Sequence, residues 1–283
     1  MNHGRLTSDQ IAAYLRDGFT TVRALFDREE IDMLNRTAKQ DRALDQHSVG
    51  KDDGTGRGAR LAIWNHPGDG IYGMFARSRT MVDSVEQVLA DEAYHYHSKM
   101  IMKDARVGGA WAWHQDYGYW YQNGVLTPDL CSVSIAVDPA TRENGCLEVL
   151  KGSHLMGRID HVLAGDQAGA DLERVEHAKQ RFERVYCTMD PGDALFFHAN
   201  LLHASAPNNS EHPRWSMICC YNAKSNNPYK ESHHPRYTPL VKIENSMIKT
   251  IGKKRFEEQH SSLAWMDSEQ DVSARVLKPT PQR

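Results

Sequence analysis

Several things are scarce in this 283-residue chain, and each scarcity removes a class of protein. The five cysteines, Cys131, Cys146, Cys187, Cys219 and Cys220, are odd in number and include no C-x-x-C pair, so neither a disulfide scaffold nor a thiolate zinc site is indicated. Set among apolar neighbours, they read as buried free thiols. No stretch reaches the ~18 apolar residues of a membrane span. The first ten residues lack the apolar core of a secretory signal, so the reading is a cytoplasmic protein with no membrane partner. Neither sign of charge dominates, since 34 Lys+Arg against 37 Asp+Glu leave −3. That balance gives no electrostatic footprint for nucleic acid or for the phosphates of an acyl-CoA, and points to a small-molecule partner. With 40% hydrophobic residues, 20 Gly and 11 Pro, the chain is neither disordered nor collagen-like, and it reads as one domain over 1–283.

The elements come in two blocks. Thr7 and Gln10 form a capping box, Ile11, Tyr14 and Leu15 follow at helical spacing, and Gly18 stops the run. A strand over Phe19–Val22, a helix over 27–40, a polar Gly-rich loop over 44–60 and a helix over 80–91 complete a helical flank, 1–93. Gly54-Thr-Gly-Arg-Gly58 in that loop lacks the Lys-Ser/Thr that makes a phosphate cradle. From Tyr94 the pattern changes to about eight short strand-like runs: 94–103, 109–116, 130–137, 145–150, 185–190, 193–198, 201–205 and 214–222. Long helices do not alternate with them, which favours a sandwich or jelly roll over a parallel α/β sheet. The β core, 94–222, therefore carries a polar, helical insert at about 155–184 that covers it, and the extension 223–283, with a charged helical stretch near 244–260, packs outside the sheet.

The chemistry concentrates in Trp111-Ala-Trp-His114-Gln-Asp116-Tyr-Gly-Tyr-Trp120. On a strand, positions i and i+2 share a face, so His114 and Asp116 offer an imidazole nitrogen and a carboxylate oxygen to one ion. A third, neutral ligand from a distant strand would complete two histidines and a carboxylate on one face of an octahedron, leaving three positions open. His203 is the candidate, with His198 the alternative. Arg214 on the following strand can pair bidentately with the remote carboxylate of a dicarboxylate, and Ser216, on the same face, adds a hydroxyl. Aromatics are only 8% of the chain, yet Tyr117, Tyr119, Trp120 and Tyr121 follow the metal pair directly. Such faces attract ammonium groups, so these rings are expected to bound a pocket for an amine-bearing substrate. Arg158, Lys103 and Asn208 are candidates for anion contacts, and His233-His234, beside Pro235, reads as loop.

The order His-x-Asp, distant His, Arg-x-Ser, together with Leu6-Thr-Ser-Asp-Gln10, Asp17-Gly-Phe19, Asn144-Gly145, Gly152-Ser-His154 and Pro191-Gly-Asp193, resembles the phytanoyl-CoA dioxygenase-like family of Fe(II)/2-oxoglutarate-dependent oxygenases. The resemblance implies a mostly β fold with flanking helices around a double-stranded β-helix. It implies Fe(II) on the catalytic residues His114, Asp116 and His203, 2-oxoglutarate on Arg214, and dioxygen as the second cosubstrate. It further suggests that His97 or Lys99, on the strand before the first ligand, helps bind the cosubstrate, and that His154 belongs to a structural turn. Halogenases of this kind have a small residue where this chain has Asp116, so the resemblance implies hydroxylation, with 2-oxoglutarate converted to succinate and CO2. Residues 113–120 are similar to the segment in ectoine hydroxylases and aminoalkylphosphonate hydroxylases, and the expected substrate is a small zwitterion such as an aminoalkylphosphonate or its N-methylated form. The competing readings are an ectoine-like or acyl-CoA hydroxylase, a zinc hydrolase on the same ligands, and a non-catalytic cupin-like metal-binding protein.

Overall fold

The N-terminal helices begin where their caps put them. In the computed structural model, which describes residues 5–254, 263–267 and 277, the Thr7 hydroxyl accepts from Gln10 N and the Gln10 side chain accepts from Thr7 N, opening α1 (Ser8–Asp17). Gly18 closes α1 at φ 85°, where a Cβ would fall 2.6 Å from the His154 ring, so only glycine fits both the backbone and the space. β1 (Phe19–Val22) follows, and Asp27 and Glu30 make a second capping box for α2 (Arg28–Gln40). α3 (Arg42–Gln46) leads into β2 (Val49–Asp52) and β3 (Gly58–Trp64), and α4 (Ile71–Arg77) and α5 (Arg79–Leu89) complete the flank. The expected loop over 44–60 is therefore partly strand. β2 is an edge strand paired only to β3, so its one apolar residue, Val49, leaves no alternation to read.

The remaining strands are β4 (Ala93–Lys103), β5 (Trp111–His114), β6 (Leu130–Ala136), β7 (Leu147–Leu150), β8 (His161–Ala164), β9 (Gln167–Ala170), β10 (Arg184–Cys187), β11 (Ala194–His198), β12 (His203–Ser205) and β13 (Arg214–Ala223). Of all thirteen strands, seven form a sheet in the order β1-β11-β6-β13-β4-β3-β2, and four form a second sheet, β10-β7-β12-β5. With the helices outside, this is the mostly β, double-stranded β-helix architecture of the jelly roll. Alternation divides the major sheet cleanly. Met100, Met102, Val133, Ile135, Met217 and Cys219 face the helices, while Ile101, Ile218 and Cys220 face the interior. All five cysteines are buried free thiols.

Two regions depart from expectation. The insert at 155–184 is only half helical: α7 (Leu172–Arg181) follows a hairpin, β8-β9, whose four-residue strands are too short to show an alternation. Beyond β13, α8 (Ser246–Gly252) accounts for part of the helical stretch near 244–260, and 255–260 lies outside the described residues. The segment 263–267 does not stay outside the sheet. It runs along the edge of β3, with Asn65 N donating to Ala264 O and Met266 N to Ile63 O, and carries Met266 to the interior cavity. Among the described residues, no helix is long and apolar enough to cross a membrane.

Candidate active site

The cavity lies between the two sheets. β12 pairs antiparallel with β5 so that His203 and His114 are direct register partners. β5 ends at His114, and Asp116 opens a short helix, α6 (Asp116–Trp120), so the shared strand face expected for His114 and Asp116 is replaced by a strand-to-helix turn. The turn brings the groups together all the same. His114 Nε2 lies 3.7 Å and His203 Nε2 3.9 Å from Asp116 Oδ1. Among the described residues, this is the one group of three His, Cys, Asp or Glu side chains whose ligand atoms lie within 4.8 Å of one another.

The donor chemistry fits a divalent ion. His114 Nδ1 sits 2.7 Å from Ala112 O and His203 Nδ1 2.9 Å from Leu201 O, the carbonyl two residues back in each case. A carbonyl only accepts, so each Nδ1 carries the proton and each Nε2 keeps its lone pair for a metal. Burial, reinforced by His114, pulls the His203 pKa down to about 3, which keeps that ring neutral. Burial pushes the Asp116 carboxyl up, but the nearby Lys99 ammonium outweighs it and holds the group well below the usual carboxylate range. Its oxygens are also fixed from outside the ligand set, since Tyr119 Oη donates to Oδ1 at 2.9 Å and Ser132 Oγ to Oδ2 at 3.1 Å. Loss of such supporting bonds typically weakens metal binding 10–100-fold. Tyr119→Phe is expected to lower Fe(II) affinity by about 10-fold, measured anaerobically by chelator competition, whereas an unchanged affinity would leave the phenol without a part in orienting Asp116.

Arg214 tests the fit to a dicarboxylate. Its guanidinium is buried, donates to Gly145 O at 2.9 Å and to Ser216 Oγ at 3.3 Å, and leaves Nε without an acceptor. No carboxylate pairs with it in any described ion pair, and burial pulls its pKa down to about 10. A buried cation short of an acceptor is what an incoming carboxylate would complete.

The other expected site residues divide. Tyr119, Trp120, His97 and Lys99 line the cavity. Tyr117 does not, because its hydroxyl donates outward to Leu126 O, and Tyr121 is exposed under the Arg158 guanidinium. Arg158 is itself committed to Gly118 O and Asp160, on the far side of α6. Lys103 is wholly buried, with Nζ on Ser205 Oγ and Ala206 O, and Asn208 donates to three backbone carbonyls, so both brace the loop after β12. His198 is not a ligand. Its Nδ1 accepts from Asn200 N and its ring packs near Tyr14 and His154. Sequence reasoning missed His234, Lys51, Trp111 and Met266, all of which face the cavity. His161 was also missed. Its Nε2 accepts from Gln115 N, which holds the backbone between His114 and Asp116. Lys51 and Met266 arrive from segments with no local periodicity, and no sequence signal marks either.

The comparisons agree with this geometry. The model of the family "Phytanoyl-CoA dioxygenase (PhyH)" matches residues 14–216. L-proline trans-4-hydroxylase of Streptomyces griseoviridis is 30% identical over 194 residues, covering 62% of this chain and 70% of that protein. The ectoine dioxygenase of Sphingopyxis alaskensis is 27% identical over 241 residues, 80% of this chain and 78% of that one. The apo crystal structure of EctD from S. alaskensis superposes with a TM-score of 0.69 at 25% identity, covering 86% of this chain and 83% of that one. A methylphosphonate hydroxylase of Gimesia maris is 33% identical over 153 residues, 54% of each chain. With the family model spanning most of the chain and a two-histidine, one-carboxylate cluster beside a buried arginine at its centre, the chain belongs to the phytanoyl-CoA dioxygenase family of Fe(II)/2-oxoglutarate-dependent oxygenases.

Proposed function

We propose that the protein hydroxylates a small, amine-bearing acid, with an aminoalkylphosphonate or its N-methylated form as the leading candidate. Bound at His114, Asp116 and His203, Fe(II) supplies with 2-oxoglutarate and dioxygen the oxidation that inserts one oxygen atom into a substrate C–H bond and the other into succinate, releasing CO2. The chain's own residues position and enclose. Arg214 and Ser216 receive the remote carboxylate of 2-oxoglutarate. Lys99, 3.9 Å from Asp116 Oδ1, keeps that carboxylate ionised. Trp111, Tyr119 and Trp120 form an aromatic wall that excludes water and suits an ammonium group.

The observation that carries the reading is the placement of His114, His203 and the unsatisfied Arg214 on one cavity, with Asp116 buried within ligand range of the two histidines. A zinc hydrolase would have no use for the arginine, and a binding protein none for both. Similarity to a methylphosphonate hydroxylase supports the phosphonate, and similarity to ectoine dioxygenases supports ectoine as the second reading. Succinate formation by the Fe(II)-loaded protein, with 2-oxoglutarate and air, is to be measured against aminoalkylphosphonates, quaternary amines, ectoine, amino acids and acyl-CoA esters. An aminoalkylphosphonate is expected to stimulate it at least about 10-fold over the substrate-free rate, a difference of about 1.4 kcal/mol in barrier. Stimulation by ectoine alone would replace the substrate, and iron-independent hydrolysis would overturn the reaction class.

A further inference from the structure

The cavity holds more basic groups than iron and cosubstrate use. With His114, Asp116 and His203 given to the metal and Arg214 to 2-oxoglutarate, its described wall still carries His97, His234, Lys99 and Lys51 against one further acid, Asp166. The two histidines are built into a unit. Their rings stack with centroids 4.4 Å apart and an interplanar angle of 13°, and both are buried.

The fold aims them deliberately. β4 pairs with β13 residue for residue from Lys103–Arg214 to His97–Cys220, after which Tyr96 is skipped and His95 pairs with Tyr221. This bulge turns Tyr96 and His97 both inward, where simple alternation would have pointed one of them at the helices. His234 comes from the extension after β13 and is locked by a relay. Asn65 Nδ2 donates to His233 O at 2.6 Å, so Asn65 Oδ1 faces His234 Nδ1 at 2.9 Å and must accept from it. His234 therefore keeps its proton on Nδ1 and its lone pair on Nε2. His97 Nδ1 is buried with no partner. The neighbouring His95, by contrast, has both nitrogens engaged, with Asn65 O and Ser98 Oγ.

This pair cannot serve the remote carboxylate of the cosubstrate. Lys103 is the register partner of Arg214, and His97 lies six residues back along β4, about 20 Å at roughly 3.3 Å per residue. Nor does it make a second metal site, because no third His, Cys, Asp or Glu among the described residues joins it within ligand range. We propose that His97 and His234, with Lys99, form a subsite for an oxyanion of the substrate, a phosphonate in preference to a carboxylate, at the end of the cavity opposite Arg214. The inference rests on the oxygenase reading above and assigns the end of the substrate that the reading leaves open. A monoprotonated phosphonate matches the set well, since its P–OH can donate to His234 Nε2 while its charged oxygens accept from Lys99; a carboxylate uses only the second interaction.

The test is calorimetric titration of the anaerobic protein loaded with Fe(II) and 2-oxoglutarate. The probes are 2-aminoethylphosphonate, its carboxylate counterpart 3-aminopropanoate, and ethylamine, which lacks an acid. Wild type is expected to bind 2-aminoethylphosphonate and to bind ethylamine at least about 10-fold more weakly, and His97→Gln and His234→Gln are each expected to weaken the phosphonate by about 10-fold or more. Affinity for 2-oxoglutarate, measured separately, stays within about 2-fold and reports that each variant is folded. His234 lies outside the sheet, so its variant remains informative if His97→Gln fails to fold. Unchanged phosphonate binding in His234→Gln, a selective loss of 2-oxoglutarate binding, or equal wild-type affinity for ethylamine each overturns the subsite. So does wild type that does not bind the phosphonate; if another compound then still drives succinate formation, the oxygenase reading stands without the subsite.

Discussion

Asp116→Ala is expected to abolish turnover and to weaken Fe(II) binding by well over 100-fold, more than the 10–100-fold typical of losing an outer supporting group. The carboxylate is the single charged ligand and the meeting point of the site. His114 and His203 approach its Oδ1 at 3.7 and 3.9 Å, Lys99 at 3.9 Å, and Tyr119 and Ser132 donate to its two oxygens. Removing it leaves two neutral imidazoles and a nearby ammonium, an arrangement that repels a divalent cation. Chelator competition under nitrogen measures the affinity. His203→Ala should fall nearly as far, because the remaining His114–Asp116 pair offers only two donors, whereas His198→Ala should leave iron binding unchanged, its Nδ1 being occupied by Asn200 N. Retention of iron by Asp116→Ala would remove that residue from the ligand set.

What the sequence made legible was the part of the site whose spacing is short or whose residue types are rare. His114, Asp116, His203 and Arg214 stood out because two histidines, a carboxylate and an arginine in that order have few structural explanations; His114, His203 and Arg214 line one cavity, and Asp116 lies beside the two histidines. The aromatic run was half right for a geometric reason. Read as a strand continuing from Trp111, it would send alternate residues inward; as the helix α6 and the 3-10 turn after it, it sends Tyr119 and Trp120 to the cavity and Tyr117 and Tyr121 away from it. A single turn of helix after a four-residue strand has no periodicity to detect. His234 was passed over because adjacent histidines beside a proline look like loop, and they are loop. The Asn65 relay that turns one of them into a cavity residue spans 169 positions, a contact that no local pattern encodes. The bulge at Tyr96 is equally invisible, since it depends on which residue of β4 finds no partner on β13. Cavity residues carried by distant segments, Lys51 and Met266 among them, share this property.

Arg214→Met is expected to raise the KM for 2-oxoglutarate by about 100-fold or more while leaving the folded apo protein intact. Truncating one partner of a buried, hydrogen-bonded charge pair costs about 2–5 kcal/mol of binding, and each 1.4 kcal/mol is tenfold. The apo protein behaves differently because, among the described residues, no carboxylate pairs with the guanidinium. Its described bonds are to Gly145 O and Ser216 Oγ, and Nε has no acceptor. Exchanging a buried, unpaired cation for an apolar chain of similar length is often neutral or stabilising. Lys103, whose Nζ lies on Ser205 and Ala206 and whose own pKa is pulled well down, first by burial and then by Arg214, should gain from losing that neighbour. Thermal melts separate the two effects. Saturating 2-oxoglutarate should raise the wild-type Tm and leave that of Arg214→Met unmoved, while the ligand-free Tm of the variant equals or exceeds that of wild type. A variant that melts well below wild type without cosubstrate, yet keeps its 2-oxoglutarate shift, would make Arg214 a structural residue of the β4–β13 pair and leave the dicarboxylate to be held elsewhere.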